Sequence, residues 1–169
     1  MAGLGRSERA RIRGAQAGSV SDLEALFREH WPRAYRAAYL VVHDAAAAED
    51  IAQESFLAAV RALDRFDFRR PFGPWLHRIA VNRAIDFARA RSLRAEYQEQ
   101  DLPAPDPPVR DDTLMPAIAS LDPDHRAVIV LRYLLEYTPG EIAELLDLPR
   151  GTVNSRLRRG LDKLKGRIE

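Results

Sequence analysis

Apolar residues recur every three or four positions along most of this chain, which is the spacing of helices that each bury one face. The alternating pattern typical of strands is almost absent. Residues 48–63 are the clearest case. The expected core face of this helix is Ala52, Phe56, Ala59, Val60 and Leu63, and the opposite face is Asp50, Gln53, Glu54, Leu57 and Arg61. Leu57 should therefore point into solvent, bordered by acidic side chains.

The last third of the chain predicts two short helices separated by a tight turn. Residues 138–146 direct Ile142, Ala143, Leu145 and Leu146 inward, and the sequence DLP at 147–149 ends that helix. A second helix begins near Arg150 or Gly151. Its apolar stripe is Val153, Leu157, Leu161, Leu164 and Ile168. Two helices joined in this way form a helix-turn-helix.

The face opposite that stripe is basic and carries short polar side chains. At about 100° per residue it is centred on Ser155 and Arg159. The flanking residues are Thr152, Asn154 and Arg158 on one side, and Arg156 and Lys163 on the other. Such groups hydrogen-bond to base edges and phosphates in the major groove of DNA. The alternative is a solvated basic face on a helical hairpin.

Helix-start and linker signals divide the chain into two domains. Ser21 with Glu24 and Thr138 with Glu141 fit the capping box, and the sequence DP at 122–123 is a related helix start. Residues 101–112 (DLPAPDPPVRDD) combine prolines with acids, which prevents a helix. We therefore predict an all-α fold with two small helical domains, 21–94 and 113–169, the second containing the helix-turn-helix. A flexible Pro/Asp-rich linker at 95–112 joins them, and residues 1–20 are expected to form a disordered basic tail.

The composition of the chain excludes some classes of protein, and the distribution of its charges favours one class of partner. The chain has 169 residues, 46% of them apolar, and no cysteine. Disulfide scaffolds and thiolate metal sites are therefore excluded, and a cytoplasmic location without membrane insertion is favoured. The net charge of +1 conceals two basic blocks: residues 61–94 carry nine basic and three acidic groups, and residues 149–169 carry seven and two. Basic blocks favour a phosphate-rich partner.

The first basic block contains a loop that mixes aromatic and arginine side chains. Residues 65–75 (RFDFRRPFGPW) include three Phe, one Trp and three Arg. Interleaved aromatics and arginines suit unstacked bases, whereas the alternative is that the aromatics fasten the loop to its own domain. The following helix, about 74–91, places Arg78, Asn82 and Arg89 on one side. A basic helix beside an aromatic loop indicates single-stranded or melting DNA.

The sequence offers little support for catalytic chemistry. The histidines, His30, His43, His77 and His125, are scattered without metal-ligand spacing, and we expect them at the surface or in cap regions. Asp50 and Glu54 lie one turn apart, but no histidine or third carboxylate shares their face. We therefore expect no catalytic residues, no cofactor and no metal.

Five blocks of this sequence, in this order, resemble the bacterial RNA polymerase sigma factors of the extracytoplasmic-function (ECF) group. The blocks are 48–57 (AEDIAQESFL), 62–66 (ALDRF), 74–86 (PWLHRIAVNRAID), 121–126 (LDPDHR) and 151–159 (GTVNSRLRR). The resemblance spans about residues 21–94 and 113–165. It implies a factor that binds core RNA polymerase and directs promoter-specific transcription initiation. Such a factor reads the minus-35 and minus-10 promoter elements and helps to melt the latter.

The resemblance also assigns roles to particular residues. It implies core-polymerase binding, through the β′ clamp helices, for Asp50, Gln53, Glu54, Leu57 and Arg61, and the β subunit as a further partner. It implies minus-10 binding for Ala62, Phe66, Arg78, Ile79, Asn82 and Arg89, with a pocket for one flipped base near Ala62, Phe66, Ile79 and Asn82. It implies minus-35 binding for Arg150, Thr152, Asn154, Ser155, Arg156, Arg158 and Arg159. The implied partners are core polymerase, promoter DNA and an anti-sigma factor, and the linker would follow the RNA path of the polymerase.

Three other interpretations compete with this one. An ordinary helix-turn-helix repressor or activator would explain residues 121–165 but not the acidic helix or the aromatic loop. A helical enzyme would need a catalytic cluster that the spacing does not supply. A structural adaptor would not need two separate basic faces.

Overall fold

The computed structural model describes residues 4–98 and 114–168, and the regular structure within those ranges is helical. The helices are α1 (Leu4–Gln16), α2 (Val20–Val42), α3 (Ala45–Ala62), α4 (Phe72–Gln98), α5 (Leu114–Ala119), α6 (Pro123–Ile129), α7 (Pro139–Leu146) and α8 (Arg150–Ile168). A 3₁₀ turn, Leu63–Arg65, follows α3, and a π-helical turn, Val130–Leu134, extends α6. The predicted all-α fold is confirmed. None of the described helices is long and apolar enough to cross a membrane.

The chain divides into two compact units, residues 1–39 with 44–83 and residues 40–43 with 84–169. Residues 84–94, which we assigned to the first domain, therefore group with the second unit. Most of the predicted linker, 95–112, lies outside the described residues, but its first four positions continue α4. That helix is longer than the predicted 74–91 because residues 92–98 (SLRAEYQ) are mostly good helix formers without glycine or proline.

α1 corrects the prediction of a disordered tail over residues 1–20. Ile12 is fully buried in the core of the first unit, where the cluster also contains Leu26 and Phe56. A Cβ at Gly14 would overlap the carboxylate of Asp22, so glycine permits α1 to approach α2 closely. The prediction was wrong because the arginines of this segment dominate its composition, although a single apolar side chain is enough to dock a short helix on a neighbouring core.

The turn after α1 depends on Gly18 and Ser19. Gly18 has a φ of 93°, a conformation that side chains with a Cβ rarely adopt. Ser19 Oγ accepts a hydrogen bond from the backbone N–H of Asp22 at 3.3 Å and so caps α2. Ser21 already lies within α2 and cannot be its N-cap, so the predicted capping box of Ser21 and Glu24 was wrong by two positions.

α3 has the core face that its periodicity predicted. Four of the five expected residues, Ala52, Phe56, Ala59 and Leu63, belong to the buried core cluster, and Val60 is half-buried against it. Asp44 caps the helix, since its carboxylate accepts a hydrogen bond from the Ala47 N–H at 3.0 Å. The buried Ser55 hydroxyl donates to the Ile51 carbonyl at 2.6 Å, so no polar group is left unsatisfied there.

The second unit contains both helix starts that we predicted for the C-terminal half. Asp122 caps α6 by accepting a hydrogen bond from the His125 N–H at 3.1 Å, with Pro123 in the first helical position. Thr138 and Glu141 form the capping box of α7: the Thr138 N–H donates to the Glu141 carboxylate at 2.8 Å, and the Glu141 N–H donates to the Thr138 hydroxyl at 3.3 Å. Both hydrogen bonds to the Glu141 carboxylate, first from the side chain and then from the backbone of Thr138, lower its pKa.

Arg126, the last residue of the block at 121–126, forms hydrogen bonds to three backbone carbonyls. Its guanidinium donates to the carbonyls of Ala119 at 2.6 Å, Leu121 at 2.8 Å and Val41 at 2.9 Å. Val41 and Ala119 lie at the ends of α2 and α5, where carbonyls have no partner within their own helix, and Leu121 lies in the turn before α6. Burial lowers the pKa of Arg126, but its three carbonyl partners satisfy several of the donors of a charged guanidinium.

Two glycines of α8 should respond oppositely to the same substitution. A Cβ at Gly160 would lie 2.9 Å from Ile129 Cγ1, whereas a Cβ at Gly166 would meet nothing within 4 Å. We expect Gly160→Ala to destabilise the protein by about 1–3 kcal/mol through overpacking. We expect Gly166→Ala to stabilise it by up to about 1 kcal/mol through helix propensity. Urea unfolding of both variants measures this, and equal shifts of one sign would contradict the packing of α8 on α6.

Candidate nucleic-acid and protein interfaces

The acidic side of α3 is a continuous exposed surface, as its periodicity predicted. We call it the α3 face, and it consists of Asp50, Gln53, Glu54, Leu57 and Arg61, all of which are exposed. Leu57 is 46% exposed and lies opposite the side chains that fill the core. The α3 face therefore offers one apolar side chain beside two carboxylates and one guanidinium, which suits a basic partner with an apolar contact point.

The aromatic side chains of the loop at 65–75 pack against one another inside the first unit. Phe66 and Phe72 are buried, and their ring centroids are 5.8 Å apart. Trp75 lies 4.4 Å from Phe66 and 5.6 Å from Phe72 by the same measure. Of the two interpretations of this loop, the one in which its aromatics fasten it to its own domain is confirmed. Phe66 can line a pocket from beneath, but it cannot stack on an exposed base without leaving the core.

Two side chains of α1 contact this loop and the 3₁₀ turn before it. The Gln16 side-chain amide donates to the carbonyls of Leu63 at 2.9 Å and Phe66 at 3.1 Å. Arg13 lies over the ring of Phe68 with its guanidinium carbon 4.4 Å from the ring centroid. Sequence reasoning missed this role of α1, because nothing in a lone glutamine signals a partner about fifty residues away.

One arginine of the loop is held by a neighbouring carboxylate. Arg69 donates through Nε and Nη2 to both carboxylate oxygens of Asp67 at 2.9–3.1 Å. The side-chain hydrogen bonds from Arg69, followed by its backbone N–H, lower the pKa of the Asp67 carboxyl to about 2. The pair thus stays charged at neutral pH and fixes the direction in which this guanidinium points.

The residues implied in minus-10 binding divide between the two units. Arg78 is exposed on α4, and Ala62, Ile79 and Asn82 are half-buried. Ile79 packs against the same core cluster that contains Phe66. These five residues belong to the first unit, whereas Arg89, the sixth, belongs to the second.

The histidines differ in their surroundings, and not all match the expected surface or cap positions. His43 lies between α2 and α3, where burial and then Arg126 lower its pKa, and His125 lies in the first turn of α6. His77 is half-buried on α4, where burial and, secondly, Arg33 lower its pKa to about 4. It is therefore neutral at pH 7. His30 is buried, so for this residue the expectation was wrong.

The helix-turn-helix is formed by α7 and α8 with a sharp turn between them. Asp147 adopts a left-handed conformation with φ of 53°, and Pro149 precedes the first residue of α8. Val153, Leu157 and Leu164 of the predicted stripe are buried and Leu161 is half-buried, whereas the side chain of Ile168 is outside the described residues. Because this stripe is fixed against the core, the opposite face of α8 is presented to solvent.

The residues implied in minus-35 binding all lie on α8, but they are not equally accessible. Exposed side chains are those of Arg150, Asn154, Arg158 and Arg159. Thr152, Ser155 and Arg156 are half-buried. The Ser155 hydroxyl donates to the Thr152 carbonyl at 3.0 Å, so it is engaged with its own helix.

Asp124 on α6 links two arginines that we assigned to different promoter elements. Arg89 of α4 donates to Asp124 Oδ1 through Nη2 at 2.6 Å and Nε at 2.8 Å. Arg156 of α8 lies 3.2 Å from Asp124 Oδ2 through Nη2. One carboxylate therefore holds both guanidiniums within the second unit.

Asp122, two residues earlier, also pairs with a basic side chain of α8. Its carboxylate accepts a hydrogen bond from Lys163 Nζ at 2.6 Å and lies 2.5 Å from His125 Nδ1. Burial acts to raise the pKa of Asp122, but the hydrogen bonds from Lys163 and His125 outweigh it and lower the pKa to about 2. Sequence reasoning identified Asp122 as a helix cap and missed that α8 depends on it as well.

Comparison with known protein families and relatives identifies two conserved regions in the chain. The family model of Sigma-70 region 2 matches residues 26–94, and that of Sigma-70, region 4 matches residues 117–166. The ECF RNA polymerase sigma factor SigW of Bacillus subtilis is 32% identical over an alignment of 169 residues, covering 89% of each chain. The RNA polymerase sigma factor CarQ of Myxococcus xanthus is 33% identical over 156 residues, covering 88% of this chain and 90% of CarQ.

Solved structures with the same fold include two complexes. CnrH, in complex with the cytosolic domain of CnrY, has a TM-score of 0.66 and 28% identity, covering 95% of this chain and 96% of CnrH. The sigma factor RpoE, in complex with the anti-sigma factor NepR from Bartonella quintana, has a TM-score of 0.67 and 20% identity, covering 88% of this chain and 98% of RpoE. The second shows likeness of fold alone. Since both conserved regions match and relatives above 30% identity extend along nearly the whole chain, this chain belongs to the ECF RNA polymerase sigma factors, which are DNA-binding proteins of transcription initiation.

Proposed function

We propose that this protein binds core RNA polymerase through the α3 face, with the clamp helices of the β′ subunit as the contact. The observation that carries the proposal is Leu57, which is 46% exposed in the middle of an acidic surface on a rigid helix. Covering the exposed 46% of Leu57 contributes about 1 kcal/mol, and the neighbouring carboxylates add steering toward a basic partner. The β subunit is proposed as a further contact on the basis of the family resemblance.

We infer that the first unit reads and helps to melt the minus-10 element. Arg78 is exposed on α4, and Ile79 and Asn82 lie one and four positions further along, half-buried. An apolar wall beside an amide is the combination that a flipped base needs, because the amide can pair with base edges while the wall replaces stacking. The packed aromatics beneath, Phe66 and Trp75, supply the rigid floor.

The exposed face of α8 is proposed to enter the major groove at the minus-35 element. Arg150, Asn154, Arg158 and Arg159 are exposed there, and they combine phosphate-binding and base-reading groups. Arg156 and Arg89 are less available, since each is paired with Asp124. DNA phosphates must displace this carboxylate to engage either guanidinium, so Asp124 weakens DNA binding by the free protein.

An anti-sigma protein is the further partner that we infer. CnrH, the neighbour with 28% identity, was solved in complex with the cytosolic domain of CnrY. The α3 face with Leu57 is an exposed surface of the kind that such a partner would cover. Because the proposed partners are core polymerase and promoter DNA, we propose that the protein acts in the cytoplasm.

The experiment that tests the proposal is gel filtration of the protein with bacterial core RNA polymerase that lacks any sigma subunit. Comigration at one-to-one stoichiometry, followed by promoter-dependent transcription, is the expected result. Failure to comigrate, together with tight binding of duplex DNA by the protein alone, would favour the ordinary helix-turn-helix regulator instead.

Leu57→Asp should weaken binding to core polymerase by at least about tenfold, because it puts a charge where an apolar side chain is desolvated. Fluorescence anisotropy of the labelled protein against core polymerase measures this. The matched control is Leu93→Asp on α4, since Leu93 is also an exposed leucine, at 56%. An equal effect of the two substitutions would contradict the assignment of the α3 face.

Arg159→Ala should weaken binding to a minus-35 duplex by about 1–3 kcal/mol if the guanidinium contacts a base. The loss should be specific for one base pair, so a panel of duplexes with single substitutions locates the contact. Lys165→Ala, on the same helix and also exposed, controls for the loss of one positive charge. A loss that is uniform across all sequences would assign Arg159 to phosphate instead.

Asp124→Asn should strengthen duplex binding by up to about fivefold at low salt, because it frees Arg89 and Arg156 from a partly exposed ion pair. Salt should reduce this gain, since it screens both the pair and the DNA contact. Asp147→Asn is the charge-matched control, and asparagine tolerates its left-handed backbone. Identical affinity of the Asp124 variant and the control would refute the masking role.

A further inference from the structure

α1 and α2 bring three potential metal ligands together on the first unit. Glu8 lies on α1, and Glu29 and His30 lie on α2. One ligand atom of each, two carboxylate oxygens and one imidazole nitrogen, lie within 4.8 Å of one another. This is the one such cluster of three or more metal-binding side chains among the described residues.

The histidine of this cluster is buried and lacks a hydrogen bond at one nitrogen. His30 is 9% exposed, and its Nε2 has no hydrogen-bond partner among the described residues. Nε2 lies 3.1 Å from Glu8 Oε1, yet the two atoms are not aligned as donor and acceptor. His30 Nε2 therefore lies beside a carboxylate oxygen without a hydrogen bond to it, which leaves this nitrogen available to a ligand.

The imidazole ring of His30 is fixed by its surroundings. The Phe72 ring centroid lies 5.2 Å from that of the imidazole, and a Cβ at position 73 would lie 3.1 Å from Nδ1, so Gly73 leaves just enough space for the ring. The nitrogen that lacks a partner is therefore held toward the carboxylates. A fixed ligand costs less ordering entropy when an ion binds.

We propose that Glu8, Glu29 and His30 bind a divalent transition-metal ion of the Zn²⁺ type. Zinc bonds to histidine nitrogen and carboxylate oxygen are about 2.0–2.2 Å long, so two ligand atoms of one ion can be at most about 4.4 Å apart. The separation of 3.1 Å between His30 Nε2 and Glu8 Oε1 satisfies this limit, and all three ligand atoms lie within 4.8 Å of one another. Imidazole favours this ion class over Mg²⁺ and Ca²⁺, which take oxygen ligands.

Arg11 supports the site rather than replacing the ion. Its Nη1 donates to Glu29 Oε2 at 2.8 Å, which leaves the other oxygen of the same carboxylate for the ion. Carboxylate ligands of metals are commonly hydrogen-bonded in this way. The site thus has two carboxylates, one imidazole and one orienting guanidinium, all on α1 and α2.

Metal binding would fasten α1 to α2 and so stabilise the first unit. An ion that binds the folded state alone raises stability as its free concentration exceeds the dissociation constant. The site needs no contact with DNA or polymerase, so it stands or falls independently of the proposed function.

The test uses the untagged full-length protein, stripped with EDTA and then titrated with Zn²⁺. We expect the unfolding midpoint to rise by a few degrees and EDTA to reverse the rise. Mg²⁺ at the same concentration should have no effect. Co²⁺ in place of Zn²⁺ should give a visible absorption band, which reports direct coordination.

Glu8→Gln and Glu29→Gln should each reduce Zn²⁺ affinity by at least about tenfold. The matched control is Glu24→Gln, which removes an exposed carboxylate of α2 that pairs with Arg28 instead. These three variants keep the buried His30, and the unfolding midpoint of each metal-free variant is the reference for its own rise with Zn²⁺. No midpoint rise in the wild type, or unchanged affinity in either Glu8→Gln or Glu29→Gln, would overturn the site.

Discussion

Apolar residues occupy only one stripe of most helices in this chain, and burying that stripe decides which side chains remain for partners. In α3, burial of Phe56 and Ala59 forces Leu57 and Glu54 into solvent. In α8, burial of Val153 and Leu157 does the same for the basic face. A shift of one residue would rotate each helix by about 100° and exchange core for surface. The functional surfaces are therefore complements of the core and cannot move independently of it.

In the free protein, carboxylates form ion pairs with several side chains of the basic surfaces. Asp67 holds Arg69, Asp124 holds Arg89 and Arg156, and Asp122 holds Lys163. The Asp67–Arg69 pair is exposed and screened by solvent. The pairs of Asp122 and Asp124 are partly exposed and contribute only about 0–1 kcal/mol each, so a polyanion can replace these carboxylates at little cost. In the meantime the pairs keep long side chains in fixed directions, which reduces the entropy lost on binding. These ion pairs therefore have two effects. They compete with DNA phosphates for the basic side chains, and they reduce the entropy that those side chains lose when DNA binds.

Most local signals were predictable from the sequence, apart from the capping box placed at Ser21, and non-local ones were not. The faces of α3 and α8 follow from periodicity, the cap at Asp122 follows from the proline after it, and the cap at Thr138 follows from Glu141. The docking of α1 depends on Ile12 finding a core built from α2 and α3, which no window of sequence contains. The ion pair of Arg89 with Asp124 was missed for the same reason, because the two residues are far apart in the sequence. For the candidate site, the sequence therefore predicted which side chains are exposed better than which ones are already paired.

α1 shows how a short helix can influence a distant loop. One end of it carries Glu8, beside His30, and eight residues later Gln16 holds two carbonyls of the loop that contains Phe66. At about 1.5 Å per residue these contacts are about 12 Å apart on one rigid rod. Fixing either end limits the motion of the other, because an α-helix of this length does not bend easily. The proposed metal site could not be predicted from the spacing of residues along the chain, because His30 and Glu8 belong to different helices.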